Sequence, residues 1–154
     1  MTPYRHTQFS VLNMILLGLP MIWTVWGGLF LGIPSPFNFL VLGLGIFFLG
    51  LAICFYSLKI EVDQESIRMA FGPGLFKKSW PLAGCTAVRQ VRTRFIEGWG
   101  IKLTRDGWLY SVSMPHAVLV RLKNGKAFIL GTDEPEALLA ALLEAGLELE
   151  DEPA

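Results

Sequence analysis

The feature that most constrains this chain is a run of 52 residues, Thr7 to Leu58, that contains no Asp, Glu, Lys, Arg or His. Residues 59–154 hold all 13 acidic residues and 12 of the 13 basic ones. The overall share of charged residues, 17%, lies below the roughly 25% of an average soluble domain because it averages over two unlike parts. The sequence therefore predicts an apolar N-terminal part followed by one small polar domain.

The uncharged run has the length of two membrane crossings, because one crossing takes roughly 20 apolar residues. Pro34 and Pro36 mark a turn near its middle, since proline removes a backbone donor and disfavours helix in the residue before it. We expect residues 1–58 to form an N-terminal segment and two transmembrane helices, at about 9–31 and 37–58. A secretory signal peptide is the alternative for the first span, but no small-x-small cleavage site follows it.

Positive charge flanks the predicted spans on one side only. Arg5 and His6 precede the first span, Lys59 follows the second, and the turn between them is uncharged. By the positive-inside rule, we expect a multi-pass protein of the cell (inner) membrane with both termini in the cytoplasm. Transporters and proton channels generally need ionisable groups inside the membrane. These spans lack Asp, Glu, Lys, Arg and His, so the hairpin is interpreted as an anchor.

Glycines in the spans allow helices to approach closely. Gly28 and Gly32 form a GxxxG pair, which we interpret as packing between the two helices of one hairpin. A dimer interface is the alternative. Pro20 is expected to kink the first span.

Residues 59–146 have the pattern of short strands followed by one helix. Polar and apolar residues alternate in several short runs, and Asn124-Gly125 between two such runs is a strong hairpin signal. The predicted strands are 59–63, 66–71, 75–80, 86–95, 101–104, 108–112, 117–123 and 126–130. A helix is predicted over 133–146, with Asp133 and Glu136 as a capping box, Pro135 in its first turn and Gly146 at its end. Residues 147–154 form an acidic tail.

Several short motifs in this part share a pattern with a known family. They are Gly98-Trp99-Gly100-Ile101, Tyr110, Ala117-Val118-Leu119-Val120, Asn124-Gly125-Lys126, and Gly131-Thr132-Asp133 with Pro135 and Leu138. They resemble the bacterial pleckstrin-homology-like (PH-like) domains over most of residues 59–146. The resemblance implies an antiparallel sandwich or barrel of about seven strands with a C-terminal capping helix. It also implies a non-catalytic binding or assembly module beside the membrane. Phosphoinositide-reading members carry spaced basic residues where this chain has Glu61, Asp63 and Glu65.

Opposite charges are separated along the polar part. Residues 59–131 hold 12 Lys or Arg and 5 Asp or Glu, whereas residues 132–154 hold 8 acidic residues and no basic one. The predicted binding residues are Arg89, Arg92, Arg94, Trp99, Lys102 and Arg105, together with Lys77 and Lys78. One interpretation is that the basic residues among them face anionic lipid headgroups, where each contributes about 1 kcal/mol. The alternatives are a solvated strand face or an internal partner for the acidic tail. The near-zero charge of the domain argues against nucleic acid.

Candidate catalytic and metal-binding residues are few. His116 lies near Ser111, Ser113 and Asp106, but no nucleophile elbow accompanies them. Cys54 and Cys85 form no CxxC pair.

We expect no enzymatic activity, metal or cofactor; the partners are the bilayer, a protein of a membrane complex, or a second copy of this chain. The alternative is an enzyme, or an accessory subunit of one, acting on a membrane-bound substrate. A deep polar pocket around His116 would favour it, whereas exposed Trp99, Trp108 and Tyr110 would favour binding.

Overall fold

Two long apolar helices dominate the N-terminal part of the chain. The computed structural model describes residues 3–32, 37–93, 100–112 and 115–150. Helix α1 spans Val11–Phe30 and helix α2 spans Phe37–Phe55. Both are long and apolar enough to cross a membrane, and most of their large side chains are exposed. The predicted pair of apolar helices is confirmed, while the predicted turn at Pro34 and Pro36 lies outside the described residues.

Glycines bring the two helices together. A Cβ atom on Gly28 would lie 2.8 Å from Leu42 Cδ2, and one on Gly45 would lie 3.0 Å from Thr24 Oγ1. Gly32, the second member of the GxxxG pair, lies beyond the end of α1 with open space around it. Gly28 therefore serves packing within the hairpin, and Gly45 supplies the second close approach.

The rest of the described chain forms a mainly-β domain of two sheets, as predicted. Its strands are β1 (Tyr4–Phe9), β2 (Ser57–Val62), β3 (Ser66–Phe71), β4 (Phe76–Pro81), β5 (Cys85–Arg92), β6 (Gly100–Leu103), β7 (Trp108–Ser111), β8 (His116–Leu122), β9 (Ala127–Gly131) and β10 (Glu148–Leu149). Sheet A has the order β1-β2-β3-β4, and sheet B has the order β10-β5-β8-β9-β7-β6. The described residues thus hold ten strands, where the sequence pattern predicted eight and the resemblance implied about seven. Most neighbours are antiparallel, but β7 runs parallel to β9 and β10 runs parallel to β5.

Strand β1 precedes the helices and was not predicted. It pairs with β2 along its whole length, from Tyr4 opposite Val62 to Phe9 opposite Ser57. The backbone N–H of Ser10 also donates to the carbonyl of Tyr56. The two helices are therefore inserted between two neighbouring strands of one sheet.

The main core lies between the inner faces of the two sheets and helix α3 (Pro135–Glu144). The rings of Trp80 and Phe128 stack across the sheets, with centroids 3.9 Å apart and an interplanar angle of 6°. Leu138 and Leu142 of α3 are fully buried in the same cluster. A second, smaller cluster forms on the other face of sheet B; its buried members are Leu109, Ala117, Leu119 and Ile129. Sheet B is therefore buried on both faces around its central strands.

The C-terminal end of α3 agrees with the sequence prediction, whereas the N-terminal end does so only in part. Pro135 is the first helical residue, as predicted, but the residue before it is Glu134, and no side chain caps the helix. The predicted capping box is wrong, because the Asp133 carboxylate instead accepts a hydrogen bond from His6 Nε2 of β1 at 2.7 Å. Gly146 ends the helix as predicted, at φ +94°, and the N–H of Leu147 donates to the carbonyl of Leu142. These features form a Schellman motif.

Candidate functional site

The helices contact sheet A at the end where β1 and β2 join them, which we call the hairpin end. The turn between β3 and β4 packs there, because the N–H of Gly72 donates to the carbonyl of Ser57 at 2.9 Å. Gly72 has φ +53°, and a Cβ atom on it would collide with the backbone oxygen of Ile53 in α2. The ring of Phe55 lies 5.5 Å from that of Phe71 and 6.3 Å from that of Phe76. Sheet A is thus packed directly on the last turn of α2.

Large apolar side chains are exposed at this end. Leu75 is 64% exposed, Phe9 is 59% exposed and Phe76 is 50% exposed. They lie in or beside the turn and the first strand, next to the ends of the helices. The apolar surface of the helices therefore continues onto the hairpin end of the sheet.

A groove of about 460 Å³ crosses sheet A just beyond these residues. We call it the basic groove; its lining is Lys59, Glu61, Arg68, Met69, Ala70, Lys77, Lys78 and Ser79. In the strand register, Lys59, Ala70 and Lys77 form one row across β2, β3 and β4. This row is one residue farther from the helices than the row of Leu58, Phe71 and Phe76. Two lysines therefore flank a small alanine close to the hairpin end.

Ion pairs neutralise part of this face. Glu61 accepts from Lys59 at 2.7 Å and from Arg5 at 2.9 Å, and Arg68 lies 3.1 Å from Asp63. The hydrogen bond from Lys59 is the main reason that the pKa of Glu61 is lowered. Lys77 has no carboxylate within 4.0 Å among the described residues. The four basic residues of the groove and Arg5 are thus five cations against the carboxylates of Glu61 and Asp63, and an excess of positive charge remains.

Lys78 has a different role from its neighbour Lys77. Its ammonium donates to the hydroxyl of Tyr110 at 2.7 Å and lies 5.4 Å from the ring centroid of Trp80. It also lies 5.3 Å from the ring centroid of Tyr110, so it links sheet A to sheet B through a hydrogen bond and a cation–π contact with Tyr110. Tyr110 is only 3% exposed, so it cannot join Trp108 in the exposed aromatic patch considered above. Trp99 lies outside the described residues.

The other predicted binding residues are not brought together. Arg89 and Arg92 lie on β5, Lys102 lies on β6, and Arg105 lies in the turn between β6 and β7. Three strands separate β5 from β6 in sheet B. Arg94, like Trp99, lies outside the described residues. Among the described residues that were predicted to bind, the two lysines of β4 line the basic groove, where the other basic residues are Lys59 and Arg68.

Part of the acidic tail pairs with sheet B. The N–H of Glu150 donates to the carbonyl of Val88, and its carboxylate accepts from Arg121 Nη2 at 2.6 Å. The hydrogen bonds from Arg121 lower the pKa of Glu150, and the charge of Arg89 adds to this effect. The acidic tail thus has a basic partner within the domain at Glu150, but this partner is Arg121 of β8, which was not one of the predicted residues.

A second cavity, of about 420 Å³, lies beside His116. Its lining is Gln90, His116, Asp133, Glu134, Pro135, Glu136 and Ala137. His116 Nδ1 is buried and has no hydrogen-bond partner among the described residues. The lining residues include no hydroxyl or thiol that could act as a nucleophile. No group of three or more His, Cys, Asp or Glu in the described part of the chain could hold a metal ion.

Lys59 and Arg68 are the residues of the basic groove that the sequence did not single out. Lys59 was treated only as a charge that flanks the second span. The available signal was alternation, because Lys59 and Glu61 on one strand and Arg68 and Ala70 on the next must share a face. The register that aligns them with Lys77 depends on turn geometry that the sequence does not specify.

No protein-family model matches this chain, and a search of curated proteins gave no match. Function is therefore inferred from the arrangement of residues alone.

Proposed function

We propose that this protein is an integral membrane protein whose PH-like β domain is held at the inner surface of the cell membrane. There it acts as a non-catalytic binding or assembly module, with a protein partner or anionic lipid as its ligand. The observation that carries this proposal is the pairing of β1 with β2 on either side of the helices. Because both ends of the hairpin lie in one sheet, the domain has no free linker on which to move away from the bilayer.

The charges near the helices support the orientation. Arg5 lies on β1 and Lys59 on β2, the two strands that join the helices, on the same side of the helices as the whole β domain. A positive flank of this kind favours the cytoplasmic side. The strand pairing then requires that β1 and the domain share that side.

The alternative, an enzyme or an accessory subunit of one, has one observation in its favour. The cavity beside His116 is lined by three carboxylates, and the buried His116 Nδ1 has no hydrogen-bond partner in the described part of the chain. Carboxylates and a histidine can transfer protons. Among the described residues that line it there is no hydroxyl or thiol, which favours the binding module.

Photo-crosslinking in living cells tests this proposal. We place benzoylphenylalanine at Leu75, in the exposed turn at the hairpin end, and separately at Asn124, in the exposed turn between β8 and β9. The Leu75 position should crosslink to lipid or to a membrane-bound protein, because it lies next to the end of α2. The Asn124 position, at the other end of the domain, should not. The mass of the crosslinked product distinguishes lipid from protein.

Protease treatment tests which side of the membrane carries the β domain. A C-terminal tag should be removed in inverted membrane vesicles and protected in intact cells. Products at Leu75 that contain only soluble proteins, or a tag that is cleaved in intact cells, would contradict the proposal.

A further inference from the structure

The basic groove lies where a bilayer would present its headgroups. Lys59 is four residues past the end of α2, at most about 13 Å along an extended chain. The headgroup layer of each leaflet is roughly 5–7 Å thick, and lysine stems extend toward such an interface. Leu75 and Phe76 at the hairpin end provide the apolar contacts on the hydrocarbon side. The row of Lys59 and Lys77 is thus close enough to the helices for a lysine side chain to reach the headgroup layer.

The dimensions of this row suit one phosphate group. Lys59 and Lys77 are separated by one strand, so their backbones are about 10 Å apart. Ala70 lies between them, and its small side chain leaves the floor of the groove open. Two lysine side chains of this spacing can converge on a single anion once Lys59 Nζ turns toward Lys77 from Glu61, which it contacts at 2.7 Å.

The charge along the groove is graded. Of the charged rows in the groove, that of the two lysines is nearer the helices, and that of Glu61 and Arg68 lies two residues farther along the strands. Arg68 is already paired with Asp63, and Glu61 is paired with Lys59 and Arg5. Lys77 therefore supplies the positive charge that no carboxylate of the described residues balances. The unbalanced charge lies at the end of the groove that faces the bilayer.

We propose that the basic groove binds the phosphate of an anionic phospholipid, held between Lys59 and Lys77. This inference rests on the proposed function, because it requires the hairpin end to face the bilayer. The positive face and the negative lipid are complementary in charge. The adjoining apolar turn provides a surface for the acyl chains, which a soluble phosphate compound does not have.

Lipid titration of the full chain in mild detergent tests the proposal. Phosphatidylglycerol and phosphatidylcholine with identical acyl chains are added, and bound lipids are counted by native mass spectrometry. The wild-type chain should prefer phosphatidylglycerol. A lysine near such a surface contributes about fivefold in affinity, so the K59Q/K77Q chain should lose roughly 25-fold.

The matched control is K123Q/K126Q, which removes the same charge from the exposed turn between β8 and β9. It should keep the preference for phosphatidylglycerol. Equal losses in both variants, or no loss in K59Q/K77Q, would overturn the site. If K59Q/K77Q does not fold, Lys77→Gln alone should lose about fivefold, and Lys77→Arg should restore it.

A competition experiment with a soluble phosphate compound shows whether the bound phosphate belongs to a lipid. Glycerol 3-phosphate at the same concentration should leave the bound lipid in place, and its binding with equal affinity would overturn the assignment to lipid. If the chain crosslinks to the membrane through Leu75 but shows no lipid preference, the proposed function stands and the phosphate site is contradicted. If Leu75 gives no crosslink to the membrane, the proposed function itself is contradicted.

Discussion

At the scale of single residues, close contacts decide how the β domain is fixed to the helices. Gly72 allows the β3–β4 turn to lie against the backbone of Ile53 and Cys54. Ser10 caps α1 by accepting from the N–H of Asn13, and the Asn13 amide donates to the carbonyl of Phe55. These contacts join the ends of both helices to the sheet without a mobile linker.

Gly72→Ala should destabilise the protein strongly. The new methyl group would collide with a backbone oxygen, which cannot rotate away, and φ +53° is itself strained for alanine. The expected cost is about 3 kcal/mol or more. Thermal unfolding of the full chain in detergent measures it.

Gly125→Ala is the matched control for this prediction. Gly125 also has a positive φ, +76°, but open space surrounds it. Its cost should be only about 1 kcal/mol, from backbone strain. Equal losses of stability in the two variants would show that the turn does not pack on α2.

At the scale of elements, local signals in the sequence identified most strands and one helix. The alternation at 66–71 and the turn at Asn124-Gly125 correspond to β3 and to the β8–β9 hairpin. The end of α3 at Gly146 was also predictable, because a Schellman motif is formed by residues close in sequence. Its beginning was not, since His6, far away in the chain, competes for Asp133. Strand β10 was missed because two residues carry too little periodicity.

The pairing of β10 predicts how stability depends on pH. The pKa of Glu150 is lowered below its ordinary 4.5 because Arg121 binds the ionised carboxylate. A lowered pKa in the folded state stabilises the protein above the ordinary value, and this stability is lost as the pH falls through the lowered value. Glu150→Gln should therefore lower the melting temperature at pH 7. The loss should correspond to less than about 1 kcal/mol, because the pair is partly exposed.

Melting curves measured in steps from pH 7 to pH 2 test this prediction. The difference between wild type and Glu150→Gln should shrink as the carboxylate becomes protonated. Glu148→Gln is the control, because Glu148 is exposed and its side chain forms no ion pair among the described residues. A difference that stays constant across the pH range would rule out the ion pair as its cause.

At the scale of the whole molecule, the helical hairpin is an insertion into a β domain. Gln8 of β1 reaches sheet B, where its amide donates to the carbonyl of Gly131 and accepts from the N–H of Asp133. Strand β1 is thus bonded to both sheets, although the helices separate it in sequence from the rest of the domain. The boundary expected at residue 59 divides a structural unit that includes residues 4–9 and 57–58.

Replacement of residues 11–55 by Asn-Gly tests this architecture. Ser10 and Tyr56 are hydrogen-bonded neighbours, so a two-residue turn can join them as a β-hairpin. The joined chain should unfold cooperatively in mild detergent, as followed by circular dichroism. The same chain without residues 1–10 should lose this cooperativity, because sheet A then lacks an edge strand. Cooperative unfolding of both chains would show that β1 is dispensable.

The sequence by itself determined the class of the protein: two long apolar helices, then a mainly-β domain that ends in an amphipathic helix. These features follow from composition and from periodicity within short windows, where the responsible residues are neighbours in the chain. The tertiary structure alone decided that β1 belongs to the domain, that Asp133 binds His6, and that Lys59 and Lys77 flank Ala70 in one groove. The physical reason is that pairing and register between distant segments depend on turns, side-chain packing and the whole core. No pattern of neighbouring residues in the sequence specifies turns, side-chain packing and the core at the same time.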